Sequence, residues 1–263
     1  MTIYQIRCVS DDVIGTMPLA ISMGAVPGVS GVNKFGTNES VGTAYEDIWG
    51  PGGLHVPLPT PTTLEVASTS ANDTAAGTGA QRVTLTGHDA NHMEITEVVT
   101  LNGQTPVVTT QVFGHMYRLS VERAGSSEWN EGILYVADDS TAWTAGVPNT
   151  SAAIQAGMPA LTGQSQIARY TVPMGKTGFI TKGYVTAAAN KTVDFRFLVR
   201  RGIAAPKRVI FQGTLRDSQF VNNYDPYALV PEMTTIWVQA KVDATTAVVS
   251  AGFDMVLVDN DLM

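Results

Sequence analysis

The sequence predicts an all-β protein of antiparallel sheets, a β-sandwich or jelly roll preceded by an extended N-terminal arm, and three observations carry that expectation. From Thr62 onward, apolar residues recur with a period of two in short runs rich in Val, Ile and Thr. Clusters of Gly, Asn, Asp and Ser punctuate these runs at close spacing. No segment sustains a 3.6-residue period over the length of a helix; Ser151–Met158 offers one turn or two. Strands in close succession with no helices between them pair antiparallel, as a sandwich or barrel.

Residues 1–60 read as the arm. Between Pro18 and Pro61 the chain carries Pro27-Gly28, Gly31, Gly36, Gly50-Pro51-Gly52-Gly53, Pro57 and Pro59, a density of breakers that excludes a long helix or a central strand. Single apolar residues stand between them. A solvated linker would not carry Phe35, Tyr45 and Trp49, because leaving such rings in water forgoes roughly 1.5–3 kcal/mol each. The arm is therefore expected to lie ordered on a surface, its own domain's or a neighbouring subunit's. Phe35, Tyr45, Ile48, Trp49 and Leu54 are its candidate partner-binding anchors.

Residues 61–263 form the β domain, with a possible subdomain division near 140–166, where Ala, Gly, Ser and Thr loosen the pattern. Strands are expected over 62–69, 81–86, 93–101, 106–113, 116–123 and 132–137, then over 168–172, 178–186, 192–200, 208–215, 235–242 and 248–258. Asn102-Gly103 is a hairpin signal, since both central residues of a type I′ turn need positive φ. In 192–200 the alternation is cleanest, with Val193, Phe195, Phe197 and Val199 on one face. Residues 235–258 read as a hairpin closing the sheet. The pattern leaves open one large jelly roll or two smaller sandwiches.

Composition narrows function by exclusion. Of the 263 residues only 15% are charged, against ~25% in typical soluble domains, which excludes an acidic tail and a Glu/Lys-faced helical bundle. The 23 acidic and 16 basic residues give −7, without the basic footprint of a nucleic-acid binder. Cys8 is the sole cysteine, so neither an intrachain disulfide nor a cysteine-based zinc site is available. Arg7, Asp11 and Asp12 interrupt any apolar leader near the start, and no run of 18 apolar residues occurs, so neither an export signal nor a membrane span is expected.

Candidate chemical constellations each have a plainer structural reading. His88 and His92 have metal-ligand spacing but flank a turn, Asp89-Ala90-Asn91, and read as loop histidines; His55 and His115 have no evident partner. Gly77-Thr78-Gly79 opens into a strand and lacks the lysine of a phosphate loop, so it is a turn. Gln164-Ser165-Gln166 lacks the glycines of a nucleophile elbow. The acidic pairs Asp11-Asp12 and Asp138-Asp139 lack the organisation of a calcium loop. Glu65, Glu94 and Glu97 lie on strands where spacing alone leaves a glycosidase pair open, although four tryptophans offer few walls for a sugar cleft. Arg196, Arg200, Arg201, Lys207 and Arg208 make a local basic cluster that reads as the solvated rim of a hairpin. The sequons at Asn38, Asn72, Asn149 and Asn190 reflect Asn and Thr abundance. No catalytic, metal-binding or cofactor-binding residue is predicted, and the chain is not expected to be an enzyme.

Several runs together resemble virion structural proteins of tailed bacteriophages, a family with capsid decoration (cement) members. They are Tyr45–Gly53, Leu64–Ser68, Asn72–Ala80, Gly87–Asn91, Glu97–Gly103 and Tyr170–Thr177, and the likeness spans roughly residues 30–180. The resemblance implies leucine at the position of His88 and carries over no catalytic residue, because these runs are turns and strand ends. It implies a cement protein on the capsid surface, made in the host cytoplasm, a homotrimer binding the major capsid protein and neighbouring copies, with no nucleic acid or membrane partner. A tail, fibre or baseplate component is the alternative, and a glycan-binding or glycan-processing module a further one.

Overall fold

The computed structural model describes residues 16–188, 190–216 and 219–263. In chain order the elements are a short helix α1 (Met17–Ser22) and strands β1 (Val29–Val41), β2 (Glu46–Asp47), β3 (Leu64–Ser68), β4 (Ala80–His88), β5 (Glu94–Thr100), β6 (Val107–Val108), β7 (His115–Ala124) and β8 (Leu134–Asp138). There follow β9 (Trp143–Thr144), β10 (Val147–Pro148), β11 (Ile154–Met158), β12 (Arg169–Thr171), β13 (Lys176–Ala187), β14 (Thr192–Arg201), β15 (Arg208–Arg216), β16 (Gln219–Val230), β17 (Thr234–Val242) and β18 (Ala247–Asp259). The protein is all-β, and every strand pairing is antiparallel.

Four main sheets enclose two hydrophobic cores. Sheets β1-β18-β13-β16 and β12-β17-β14-β15, the latter with β2 added on β17, surround a core that includes Phe195, Phe197, Val238, Phe253 and Met255. Sheets β11-β8-β3-β6 and β5-β4-β7 surround a second core that includes Leu64, Leu85, Phe113, Leu119 and Leu134. Counted as sheets the arrangement is four-bladed and propeller-like, yet the strands of a blade are not consecutive in the chain. Period-two alternation explains the pairing: Val193, Phe195, Phe197 and Val199 are buried while Asp194 and Arg196 are not, so a one-residue slip would turn four apolar side chains to water.

The second core belongs to an inserted unit. Residues 50–166 leave the outer unit after β2 and return just before β12, and the two connecting segments run side by side. Gly50 N–H donates to the Gln166 carbonyl at 2.8 Å, Ala168 N–H to Ile48 at 3.0 Å, and Trp49 bridges Ile167. Gly36 lies against this crossing, where a Cβ would stand 2.4 Å from the Ile48 oxygen and 2.5 Å from the Ala168 nitrogen; only glycine lets β1 approach so closely.

Several expectations are corrected. The extended arm over 1–60 is replaced, over 29–41, by a thirteen-residue strand laid along β18. Proline stops before Val29, and the internal glycines Gly31 and Gly36 keep their N–H groups, so the segment can still enter a ladder as an edge strand. Residues 1–15 of that proposed arm lie outside the described residues. The division is not a cut near 140–166 but an insertion with two boundaries, near 50 and near 166. β17 and β18 are no hairpin; they pair in different sheets. At Asn102-Gly103 only Gly103 has positive φ (59°), and the turn joins β5 to β6 across sheets. Residues 154–158 form β11 in place of helix, and only 107–108 of the expected 106–113 strand is ladder-paired outside isolated bridges.

Candidate functional site

Two regions stand out: an uncovered flank of the outer unit and the polar seam between the units. At the flank, both outer sheets end in unpaired strands, β16 on one and β15 on the other. Their exposed residues mix large apolar side chains with polar ones, Gln212, Thr214, Gln219, Asn223 and Asp225 among them. Val209 and Ile210 on β15 and Val221, Tyr227 (59% exposed) and Leu229 (60%) on β16 face solvent, beside the cations Arg208 and Arg216. Beneath them Phe211 stacks on Phe220 at 4.9 Å, and Phe220 meets Phe195 at 4.9 Å, so rings from both sheets stiffen the flank from below. The opposite edge strand β1 is polar outward, with Ser30, Asn33, Glu39 and Ser40. Edge strands with free N–H and C=O groups and large apolar side chains are surfaces that other chains pair with.

The five predicted anchors do not form one surface. Ile48 and Trp49 are buried, Ile48 in the outer core and Trp49 in the inserted one, so as partner-binding anchors they are corrected to core residues. Phe35 is half-buried on β1. Tyr45 is half-buried beneath Arg196, whose guanidinium sits 3.8 Å from the ring centroid. Leu54 is exposed on the Gly50–Gly53 turn, at the mouth of a cleft of about 460 Å³ that Glu39, Glu46 and Pro51 also line. Sequence reasoning did not predict β16, whose run holds Asn222, Asn223, Asp225 and Pro226; as an edge strand it accommodates them.

At the seam, polar groups are packed away from water. Asp47 accepts from Gln239 Nε2 (2.7 Å) and from the His55 backbone N–H (2.8 Å), and Gln239 Oε1 accepts from Arg196 (2.7 and 3.0 Å). Burial raises the Asp47 carboxyl against the opposing pull of Arg169. Arg169 Nη1 meets His55 Nδ1 at 2.5 Å, and burial lowers Arg169 to about 10. Lys34 Nζ donates to the Tyr117 carbonyl at 2.5 Å, held far below the ordinary lysine value by burial and then by Arg118. The basic cluster read from sequence as a solvated rim is thus split, with Arg196 committed to this network.

The carboxylates singled out in the sequence each accept hydrogen bonds from neighbouring groups of the chain. Glu65 accepts from Trp143 Nε1, Glu94 from the Tyr117 hydroxyl (2.7 Å), and Glu97 from Thr110 and Gln111 backbone N–H groups. Asp139 accepts from Thr62 and Thr63. At the far end of the inserted unit, fully buried Asp73 accepts from Ala80, Glu131 and Gly132 backbone N–H groups and from Ser68 Oγ. Gly77 and Gly79 make room for this, since a Cβ on Gly79 would stand 2.0 Å from Asp73 Oδ1. Among the described residues no three His, Cys, Asp or Glu groups are placed to hold a metal ion, and no helix is long and apolar enough to cross a membrane.

No family model and no curated protein matches the chain. Among solved structures it is similar to the structure of infectious bursal disease virus Gt strain, with TM-score 0.22 and 9% identity over 89% of this chain and 73% of that one. It is similar also to the Gx strain of that virus (0.22, 8%, 88% and 76%) and to a subviral particle of the same virus (0.18, 9%, 88% and 76%). At these TM-scores the likeness carries no argument about fold or function.

Proposed function

We propose that the protein is a structural component of a virus particle, a capsid decoration protein of a tailed bacteriophage that binds the major capsid protein and its own copies, as a homotrimer, without catalytic turnover. The observation that carries this reading is the pair of unpaired edge strands β15 and β16, with exposed Val209, Ile210, Val221, Tyr227 and Leu229, on an outer unit that we read as a jelly roll. Numbering β1, β2 and β13–β18 as first to eighth, one sheet runs 1-8-3-6 and the other 2-7-4-5. That succession supports reading the outer unit as a jelly roll, an architecture used by capsid subunits, lectins and cupins. The sequence resemblance to phage virion proteins favours the first of these, and the flank supplies a surface for repeated symmetric burial.

Charge orients the molecule in this reading. Residues 50–167 hold ten acidic and three basic residues, so the inserted unit alone carries −7 and the remainder of the chain balances. Copies that shared inserted units would bring −7 against −7, whereas the outer units carry no net charge; in this reading the outer units make the contacts and the inserted unit projects away from the shell. Image reconstruction of the particle tests the assignment. Copies distributed over the head with inserted units outermost are expected, and density confined to the tail selects the alternative of a tail, fibre or baseplate component.

A further inference from the structure

All four histidines of the chain, at 55, 88, 92 and 115, converge on the seam between the two units. His88 and His115 are cross-strand neighbours at the end of the β4–β7 ladder, His92 sits in the turn after β4, and His55 lies in the segment leading into the inserted unit. Ring centroids are 4.9 Å apart for His92 and His115, 6.4 Å for His88 and His115, and 6.5 Å for His88 and His92. His88 also packs on Tyr117 (5.1 Å) and on Tyr170 of the outer unit (6.1 Å). Both ring nitrogens of fully buried His88, Nε2 of His55 and Nδ1 of His92 are buried without a hydrogen-bond partner.

The surroundings disfavour positive charge. From the outer unit, Arg169 on β12 and Arg200 on β14 face the cluster, Lys34 on β1 reaches Tyr117 beside it, and Arg118 lies on β7 of the inserted unit. The acids close by are already committed: Asp47 to Gln239 and the His55 N–H, Asp89 to the Asn91 and Met93 N–H groups, Glu94 to Tyr117. Among the described residues no ion pair joins a histidine to a carboxylate. Burial lowers all four histidines, His88 to about 4 and His115 to about 3, with neighbouring histidines and Arg169 adding to the effect at His115 and Asp89 opposing it at His88 and His92.

We propose that this seam is a proton-operated latch: closed when the cluster is neutral, and released by mild acidification so that the inserted unit swings from the outer unit about the paired connectors 47–50 and 166–168, both units staying folded. Geometry places the latch at the border of the outer core. The cluster lies at a ladder end and borders the outer core through Tyr117 and Tyr170, so separating the units hydrates the rings and withdraws Tyr117 from that core without opening either sheet. An open state that binds protons which the closed state excludes gains population about tenfold per pH unit for each such histidine, from near pH 6.5 downward.

Amide hydrogen exchange on the full chain between pH 7 and about pH 4.5, corrected for intrinsic rates, tests this. The amides that cross the seam, Met174 N–H to the His92 carbonyl and His55 N–H to Asp47, should lose protection at least tenfold more than the core strands 178–186 and 249–257, and proton resonances of the histidine rings should titrate with the same midpoint. The His88→Leu/His115→Phe double variant should flatten the step; His92→Gln, which alters a partly exposed ring, should reduce it should the double variant fail to fold. Loss of seam and core protection together, an unchanged seam at low pH, or a step retained in the variants overturns the latch. So does tight binding of added Zn²⁺ at pH 7 that protects the same amides, which would make the cluster a metal site.

Discussion

Buried polar residues decide more here than exposed ones. Asp73 satisfies three backbone N–H groups and a serine hydroxyl where no water reaches, so Asp73→Ala would orphan them together. Its loss is expected to destabilise the inserted unit by about 3–5 kcal/mol, read by denaturant unfolding, with wild-type stability in that variant counting against the network. Histidine linkage gives a second expectation. The four rings bind fewer protons folded than unfolded, so stability rises with pH between their lowered folded values and about 6.5, and falls on acidification from pH 7. By pH 5 the loss is about 2 kcal/mol for each histidine whose folded value lies below 5, and a flat melting temperature between pH 7 and 5 would contradict it.

At the scale of elements, the two edges of the outer sheets behave differently. β1 is a polar edge, whereas β16 exposes Val221, Tyr227 and Leu229 among polar residues, so the proposed assembly would use the β15–β16 flank. Tyr227→Arg with Leu229→Asp should lower the oligomer to monomer in light scattering while shifting the melting temperature by under about 2 °C, because exposed side chains contribute little to folding. A collapse in stability would instead mean that these residues are core. Truncation speaks to the arm. Deleting residues 1–60 removes β1 from β18 and β2 from β17 and takes Val41 and Ile48 out of the outer core, so the product is expected to be insoluble. A folded, soluble truncation would restore the picture of a detachable arm.

For the whole molecule, the insertion is the organising fact. Because the connectors lie side by side, joining residue 49 to residue 167 spans a short distance, and the outer unit should keep its dispersed amide spectrum without the inserted one. Tyr117, which the inserted unit contributes to the outer core, is then missing, at a loss of roughly 1.5–3 kcal/mol. An unfolded product would show that the units are not separable.

How far all this was legible follows from range. Period-two alternation is local, so the all-β class and strands such as 192–201 and 247–259 were readable from residues a few positions apart. The neutral reading of the Gly77-Thr78-Gly79 turn was local too, and the structure adds only which carboxylate it cradles. Nothing local says that β1 would find β18 more than two hundred residues away, that β17 and β18 would part into different sheets, or that histidines 55 to 115 would meet Arg169. Pairing partners, the insertion and the charged seam are decided by which faces must be buried together, and that is a property of the packed chain.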